Sequence, residues 1–526
     1  MAHPWLGAAT TVQHQAPSCS LSRTRELAAW PAAMGSTSST ALGWPPATAD
    51  DCIPPKKRKT WCSVQQPVQN HDRISTLPDD ILIKILSLMT VKEAAVTACL
   101  STRWRHLWKN VDRLILDVHT FGMQMPENTN NNENPDFWNQ EATKFVTKVN
   151  EVLRHHNGNG IKKVEVNFPL SSSHASDLDR WVAFTAASGS RTLNLILSGH
   201  HGIIATPDAE RYSFPLKHFV DLRGCQLRIL LLSMCSLESV SAKLSGFSYL
   251  HCLSLHRVSV VDSVVLNIMS SCRALHHFSL QRCHQLITMR TSHAELVYLE
   301  VRNCKSLISI SIHAERLECF SYKGHKVDIE YECAPILHRL HVFFVKNNEC
   351  PLDFLGALHK LRSLTLQFPT CLQVSRVLQH SKIFAGLKKI VLCLLTSWKT
   401  SICSVAYLLK AAPLVEILVL QVYGNLQPPR KQKVIWPKKC TFRRLRSIYI
   451  GGFSGEPELM GLKSFLLKRS PMLKKLVIDT HPHKYKGFSK WKREKSEDAT
   501  RCNYARGVAL THLPHEIPST VKFRVI

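Results

Sequence analysis

The chain is short of acidic residues and lacks the sequence features of membrane-spanning, disulfide-linked and zinc-binding proteins. Its 526 residues include 39 Asp or Glu against 67 Lys or Arg, a formal net charge of +28. No apolar run reaches the about 18 residues that a membrane-spanning helix needs, and no two of the 18 cysteines stand three residues apart. Without a recognisable secretory signal, we expect a soluble protein with reduced thiols, not bound to membrane, in the nucleus, the cytoplasm or both.

Motifs of the common catalytic classes are also missing. The chain has no glycine-rich phosphate loop, no Gly-x-Ser-x-Gly and no His-Glu-x-x-His motif. The pairs His200-His201 and His276-His277 have no third ligand at a defined spacing, so they are poor metal candidates. We therefore predict a binding protein that is not an enzyme and that needs no cofactor or metal.

The most informative stretch, residues 72–108, predicts three short helices. Asp79 places negative charge in the first turn of helix one. Thr90 and Glu93 have the spacing of a capping box that opens helix two, and Ser101 can cap helix three. About forty residues cannot usually bury this much apolar surface by themselves. The excess therefore implies a partner.

This stretch resembles the F-box in the form common among plant proteins. The matching segments are Asp72-Arg73-Ile74-Ser75, Leu77-Pro78-Asp79, Ile85-Leu86-Ser87, Leu100-Ser101 and Arg103-Trp104-Arg105-His106-Leu107-Trp108. The resemblance implies docking onto a Skp-type adaptor, and through it onto a cullin, as the substrate receptor of a ubiquitin ligase. By that analogy, the residues of the adaptor interface or its immediate support are Leu77, Pro78, Leu82, Ile85, Leu86, Val96, Leu100 and Trp104. The competing interpretation is a self-contained helical unit whose apolar residues pack only within this chain.

Residues 1–71 precede the F-box and predict a disordered arm. They are rich in Ala, Ser, Thr and Pro and show no sustained periodicity, a composition also compatible with an organelle transit peptide. A compact basic run follows Pro54-Pro55 and resembles a monopartite nuclear-import signal. It consists of Lys56, Lys57, Arg58 and Lys59. The alternative is that this run belongs to a merely solvated linker.

From about residue 190, the pattern L-x-x-L-x-L recurs eleven times with apolar substitutions. The central residues are Leu230, Leu253, Phe278, Leu299, Phe320, Leu340, Leu364, Ile390, Leu418, Ile448 and Leu476. A spacing of roughly 20 to 30 positions is typical of irregular leucine-rich repeats, in which each copy supplies a strand that its stacked neighbours bury. We predict an α/β fold with a three-helix F-box at 72–112 and a leucine-rich-repeat solenoid with a curved parallel sheet at 161–458.

Two further segments flank the predicted repeats. Residues 113–160 predict a linker, with an Asn-rich loop, and a helix from Phe137 to His156. The C-terminal segment, 459–526, contains the last repeat and resembles the FBD region of plant F-box proteins. The resemblance lies in Phe465-Leu466-Leu467, in the run from Ser470 to Ile478 and in the stretch from Leu513 to Val525. F-box, repeats and FBD occur together in one large plant family, which shares an architecture and not a target.

Strand alternation predicts which repeat residues line the concave side of the sheet. These are the third, fifth and seventh positions of each motif. In the central repeats they mix aromatic, imidazole and guanidinium groups, which are typical of recognition surfaces. We predict that an unidentified target protein binds there, with contacts from His277, Tyr298, Glu300, Arg302, Arg339, His341 and Phe343. For any single one of them, the alternative is an ordinary solvated position.

Two other functions compete with the ligase interpretation. Residues 428–495 contain nineteen Lys or Arg and four Asp or Glu, a composition able to bind nucleic acid. The relevant residues are Lys484, Tyr485, Lys486, Phe488, Lys490, Trp491, Lys492, Arg493 and Lys495. The alternative for this region is a solvated basic loop. The second competitor is a small-molecule receptor of the kind found among plant leucine-rich-repeat F-box proteins, which use a ligand plus an inositol phosphate.

Overall fold

A computed structural model describes most of the chain from Ile74 onward. The described residues are 74, 76–123, 135–197, 210–220, 225–239, 242–345, 358, 360–368, 384–394, 402–423, 436–437, 440–481, 483–487, 490–493 and 499–526. Several predictions lie outside them: the N-terminal arm with its basic run at 56–59, the Asn-rich loop and His200-His201. Residues Asp72–Ile526 form one compact unit.

Three short helices open this unit, as the sequence predicts. They are α1 (Asp79–Leu86), α2 (Val91–Val96) and α3 (Trp104–Leu107), the last followed by a 3₁₀ turn at Trp108–Asn110. The capping box is confirmed, because Glu93 N donates to Thr90 Oγ1 at 3.2 Å and Thr90 N donates to Glu93 Oε2 at 2.9 Å. Trp104 N donates to Ser101 Oγ at 3.4 Å, so the Ser101 hydroxyl accepts a bond from the first residue of the third helix, whose N-cap position is Arg103.

One parallel sheet dominates the rest of the described chain. Its fifteen strands are β1 (Arg113–Asp117), β2 (Lys163–Asn167), β3 (Thr192–Ile196), β5 (Ile229–Ser233), β7 (Cys252–His256), β8 (His277–Gln281), β10 (Tyr298–Arg302), β12 (Cys319–Gly324), β14 (Arg339–Phe344), β15 (Ser363–Phe368), β16 (Lys389–Leu394), β17 (Ile417–Val422), β18 (Ser447–Gly451), β19 (Lys475–Asp479) and β22 (Lys522–Val525). They lie side by side in chain order. The eleven strands predicted from the repeat are all present, which confirms the solenoid with a parallel sheet.

The sheet begins earlier than predicted, because β1 lies in the segment interpreted as a linker at 113–160. The pairs β1–β2 and β2–β3 continue the same parallel register toward the N terminus. Val111 and Ile161 stand where the pattern has its first Leu. These apolar residues fit the pattern, but the long helix between the two strands breaks the spacing of the later repeats. The repeats thus extend from the end of the F-box.

Return segments connect the strands of the main sheet. Among the described residues, six of them are helical: α4 (Pro135–His155), α5 (Ala175–Ala187), α6 (Asp262–Ser271), α7 (Ile402–Ala411), α8 (Pro457–Arg469) and α9 (Ala499–His512). The central repeats instead use β9 (Thr288–Ser292), β11 (Ser309–His313) and β13 (Asp328–Cys333), which form a second parallel sheet. Two short pairs complete the described strands: β4 (Tyr212–Ser213) with β6 (Cys235–Ser236), and β20 (His483–Gly487) with β21 (Lys490–Arg493). The predicted helix at 137–156 is confirmed as α4.

The F-box helices and the solenoid share one hydrophobic core. A single cluster of buried residues runs from Leu82 in α1 to Val521 before β22. Trp104 and Trp108 are 9% and 7% exposed and belong to it. Asp112 N, just before β1, donates to Ser87 Oγ at 3.0 Å. Part of the apolar surface that the F-box cannot bury by itself is therefore covered by the first strand of the sheet.

A buried lysine in α8 pairs with a glutamate in the turn that follows α9. Lys463 in α8 is 1% exposed, and its Nζ donates to Glu516 Oε2 at 2.8 Å. Ser464 Oγ donates to the same carboxylate oxygen at 2.6 Å. The bonds from Lys463 and then Ser464 hold the pKa of Glu516 below its ordinary value. This lowered pKa makes the pair a contributor to stability at neutral pH.

We expect Glu516→Gln to lower the free energy of unfolding by about 1–2 kcal/mol at pH 7, because a buried ammonium loses its carboxylate while Glu516 itself is half exposed. A carboxyl with a lowered folded pKa stabilises above the unfolded pKa, and this contribution is lost as the pH falls through the folded value. The difference between the variant and the parent should therefore shrink near pH 3. Urea unfolding at both pH values checks this. Glu315→Gln, at an exposed position, is the control, and an equal effect of both variants would contradict the assignment.

Candidate functional site

The F-box helices divide their apolar residues into a buried and an exposed set. Of the seventeen large apolar side chains that are exposed in the described ranges, six lie within residues 74–100. They are Ile74 (57% exposed), Ile85 (42%), Leu88 (81%), Met89 (40%), Val96 (62%) and Leu100 (66%). Such a concentration of exposed apolar side chains on one small module marks an interaction surface. These six residues are called the apolar F-box surface below.

The structure separates the eight residues predicted at or behind the adaptor interface. Ile85, Val96 and Leu100 belong to the apolar F-box surface, and Pro78 is also exposed. Leu82, Leu86 and Trp104 are buried and Leu77 is half-buried, so these four can only support the surface from behind. The predicted interface missed Ile74, Leu88 and Met89. For Leu88 and Met89, the available signal is their position between the last turn of α1 and the capping Thr90.

Arg103 is a further residue that motif matching did not single out for a role. Its Nη2 donates to the carbonyl oxygen of Leu77 at 2.6 Å, and its Nε donates to Asp79 Oδ1 at 2.7 Å. These bonds hold residues 77–79, at the start of α1, against the start of the third helix. Arg103 therefore fixes the position of Pro78, which is exposed beside the apolar F-box surface.

Residues at the same motif position on successive strands lie side by side, as the repeat predicts, and form columns on the concave side of the sheet. His277 pairs with Tyr298, Tyr298 with Cys319, and Cys319 with Arg339 on successive strands. Exposure differs from the expectation. Among the seven predicted target contacts, His277, Arg302 and Arg339 are partly exposed. The remaining four are buried: Tyr298 (6% exposed), Glu300 (0%), His341 (4%) and Phe343 (1%). These four side chains have little surface for a target to contact, and their role in target binding stays a prediction.

The physical reason for this burial is that in-register neighbours about 4.8 Å apart cover one another. Ser279 Oγ and Gln281 Nε2 donate to Glu300 Oε2 at 3.0 and 3.2 Å. Arg302 Nη1 lies 3.8 Å from Glu300 Oε1. Burial raises the pKa of Glu300 despite these contacts. Phe343 packs with Cys393 two strands away. The fifth-position column is therefore a polar layer that packs on itself.

The basic C-terminal region contains the antiparallel pair β20–β21, which is attached to the last repeats. Arg493 Nη2 donates to Asp479 Oδ1 at 3.1 Å, and Tyr449 Oη donates to Asp479 Oδ2 at 2.8 Å. His483 N donates to Gln421 Oε1 at 3.1 Å. Within the predicted nucleic-acid cluster, Arg493 is thus engaged by a buried aspartate. Phe488 and Lys495 lie outside the described residues, and the remaining members lie on the two strands.

Buried thiols accompany the repeats. Cys235, Cys272 and Cys283 are all 0% exposed. Burial raises the pKa of Cys235 and of Cys272 to about 12, so both remain thiols at neutral pH. Within the described ranges, no group of three or more His, Cys, Asp or Glu side chains could hold a metal ion. In the same part of the chain, none of the helices combines the length and the apolar character needed to cross a bilayer.

Two family models match the chain. The F-box domain matches residues 74–116, and the domain described as At1g61320/AtMIF1, LRR domain, matches residues 152–526, more than half of the chain. The chain belongs to the F-box/leucine-rich-repeat family. The F-box match covers the three helices and most of β1, and the second match covers the end of α4 and the strands from β2 onward.

Relatives of this F-box/leucine-rich-repeat protein occur in Arabidopsis thaliana. The F-box/FBD/LRR-repeat protein At1g13570 is 28% identical over 46% of this chain and 54% of its own length, and the F-box protein At3g60790 is 24% identical over 48% and 49%. This chain thus spans about half the length of these two relatives. The F-box/FBD/LRR-repeat protein At5g56420 is 24% identical over 79% of this chain and 93% of its own length. Among solved structures, a leucine-rich-repeat protein of Leptospira interrogans matches at 13% identity, with 69% and 90% coverage and a TM-score of 0.23.

Proposed function

We propose that this F-box/leucine-rich-repeat protein is a non-catalytic substrate-recognition subunit of an SCF-type ubiquitin ligase. The F-box would bind a Skp-type adaptor, and through it a cullin, while the repeats bind a target protein. The apolar F-box surface carries this proposal, because six exposed apolar side chains on α1, α2 and the turns beside them require a cover. Nuclear import through Lys56, Lys57, Arg58 and Lys59 is part of the proposal, with the nucleus or the cytoplasm as its location.

The shared core supports a proximity mechanism. Since α1–α3 pack into the same buried cluster as β1, the adaptor and the target would be held on one rigid body. A fixed separation raises the effective concentration of target lysines near the ubiquitin-loaded enzyme without any chemistry by this chain. On the repeats, the partly exposed His277, Arg302 and Arg339 remain available for target contact, whereas the four buried residues of the concave face act through packing.

We expect Leu88→Asp combined with Leu100→Asp to weaken binding to a purified Skp-type adaptor by about 100-fold, because charge would enter the centre of an apolar interface. Both side chains are mostly exposed, so the fold should be unaffected. Titration calorimetry or a pull-down with the full chain measures the loss. The matched control, Ile308→Asp with Leu510→Asp, alters two exposed apolar residues outside the F-box and should bind as the parent does. Equal affinity of both double variants, or no adaptor binding by the parent chain, would overturn the proposal.

Nucleic-acid binding by the β20–β21 pair is the second candidate. It is favoured by the basic strand residues and by the exposed Lys492. Affinity for a single-stranded oligonucleotide should then fall steeply with salt, and Lys490→Glu with Lys492→Glu should abolish it. Binding that does not depend on salt would remove this candidate.

A further inference from the structure

The turns at the carboxyl ends of four successive strands are basic. The three residues that follow β7, β8, β10 and β12 include no Asp or Glu. Six cationic residues occupy the strand ends and these turns: Arg257, Arg282, Arg302, Lys305, Lys323 and Lys326. They are called the basic ridge below. Arg282, Lys305 and Lys326 are exposed, and the other three are partly exposed. The ridge therefore presents positive charge at the edge of the sheet, beside its buried inner face.

Backbone geometry fixes the ridge at the spacing of the strands. Arg257, Arg282 and Asn303 follow β7, β8 and β10 and have φ of 53°, 56° and 54°. Their left-handed conformation turns the chain at the same level in each repeat. Arg257 N donates to Gln281 O at 2.7 Å, and Arg282 N donates to Arg302 O at 2.8 Å. The turns are thus hydrogen-bonded to one another, and their side chains repeat every about 4.8 Å across the sheet.

The charged groups at this carboxyl edge of the sheet have different neighbours from those at the opposite, amino edge. At the amino edge, basic and acidic groups meet in ion pairs, Arg316 with Glu295 at 2.6 Å and Arg339 with Glu318 at 3.3 Å. At the ridge, basic groups meet each other: burial and the neighbouring Arg282 lower the pKa of Arg257. Asp262, an acid near these turns in the chain, has a carboxylate that accepts bonds from the backbone N–H groups of residues 287 and 288.

On the inner face, Glu300 forms an ion pair with Arg302 and so offsets part of this charge, whereas His256 adds none. Burial, together with Arg257, Arg282 and Arg302, lowers the pKa of His256 to about 4, so this imidazole is neutral at physiological pH. Glu300 lies 3.8 Å from Arg302 but is fully buried. The exposed potential at this edge is therefore positive and favours an anionic ligand.

We propose that the basic ridge binds an extended acidic segment of the target protein, one with Asp or Glu at alternating positions. The proposal rests on the proposed function in that the segment belongs to the ligase substrate. Four strands span about 14 Å, which an extended peptide of about five residues matches. Alternate residues of an extended peptide are about 6.8 Å apart, so three carboxylates fall within this span and can be reached by the long side chains of Arg282, Lys305 and Lys326. Arginine also offers two parallel donors to a carboxylate.

The test is fluorescence anisotropy of a labelled peptide of five alternating Glu and Ala residues with the full chain. Arg282→Glu with Lys305→Glu should weaken binding by about tenfold or more, and about 300 mM salt should weaken binding to the parent. The matched control is Arg273→Glu with Lys388→Glu, two exposed residues before β8 and β16 at the amino edge. It removes the same charge and should bind within about twofold of the parent. Equal weakening by both pairs would overturn the proposal, since it would mean attraction to the net charge alone.

Two further measurements distinguish this proposal from the proposed ligase function and from nucleic-acid binding. Adaptor binding by the ridge variant should equal that of the parent chain, because the ridge is far from the F-box in sequence and order of strands. If the parent bound the peptide through the ridge but no adaptor, the ligase function would fail while the acidic-segment site stood. If a single-stranded oligonucleotide of equal charge bound the ridge more tightly than the peptide, the ridge would be a nucleic-acid site and the proposal would fail.

Discussion

Replacing Trp108 with alanine should lower the free energy of unfolding by about 3–5 kcal/mol, the usual cost of deleting a buried indole. Trp108 is 7% exposed and lies in the turn between α3 and β1. Its turn contacts both α1 and α2, and α2 contacts β1. Since one buried cluster includes the F-box helices and the sheet, a cavity at Trp108 weakens the joint between them. The apparent affinity for the adaptor should fall as well, although Trp108 is not on the apolar F-box surface.

Urea unfolding followed by far-ultraviolet circular dichroism measures the first effect, and adaptor binding after refolding measures the second. Trp108→Phe keeps most of the buried volume and should lose less than half as much stability. Tyr504→Ala, at a side chain that is 67% exposed, should change the free energy by less than about 0.5 kcal/mol. Two separate transitions, of which only the first moves in Trp108→Ala, would show that the F-box folds independently and would contradict the shared core.

The second large effect is expected at the centre of the sheet. Phe320→Ala in β12 should cost about 3–5 kcal/mol, because Phe320 is fully buried and pairs in register with Leu299 on one side and Leu340 on the other. Its ring also meets Tyr331 edge-on, with centroids 6.3 Å apart. In a solenoid, each repeat is stabilised by its two neighbours, so a central cavity weakens two interfaces at once.

Phe523→Ala in the terminal strand β22 is the comparison. Phe523 occupies the same position of its strand as Leu476 in β19, is partly exposed and has a paired strand on one side only. The loss there should be about 1–2 kcal/mol. Denaturant unfolding of both variants checks the ratio. Equal losses at the two positions would contradict a nearest-neighbour description of this solenoid.

The sequence predicted the elements whose signals are contained in a few neighbouring residues. The Thr90–Glu93 capping box is specified within four residues, and the structure contains it. The recurring Leu positions place eleven strands, because each strand buries alternate residues against the next copy. The pattern failed for β1 because α4 lengthens the interval to the next strand. Val111 is an apolar residue of the kind that the pattern allows, so the interval and not the residue type hid that strand.

Exposure could not be predicted from the same signals. Alternation correctly places Glu300 and Phe343 on the inner side of the sheet, but both are buried because residues on adjacent strands cover them. The basic ridge was missed for a related reason. Its residues are about 20 apart in the sequence and come together only when the strands stack in register.

The sequence by itself determined the family, the three F-box helices and the parallel strands, since each depends on residues a few positions apart. Tertiary structure alone decided which apolar F-box residues are buried and which face outward, because that depends on how the helices pack on the turn at Trp108 and on the first strand. It also decided that the inner face of the sheet is packed while its carboxyl edge carries exposed positive charge. The physical reason is distance: neighbouring strands lie about 4.8 Å apart, so residues of different repeats bury or crowd one another.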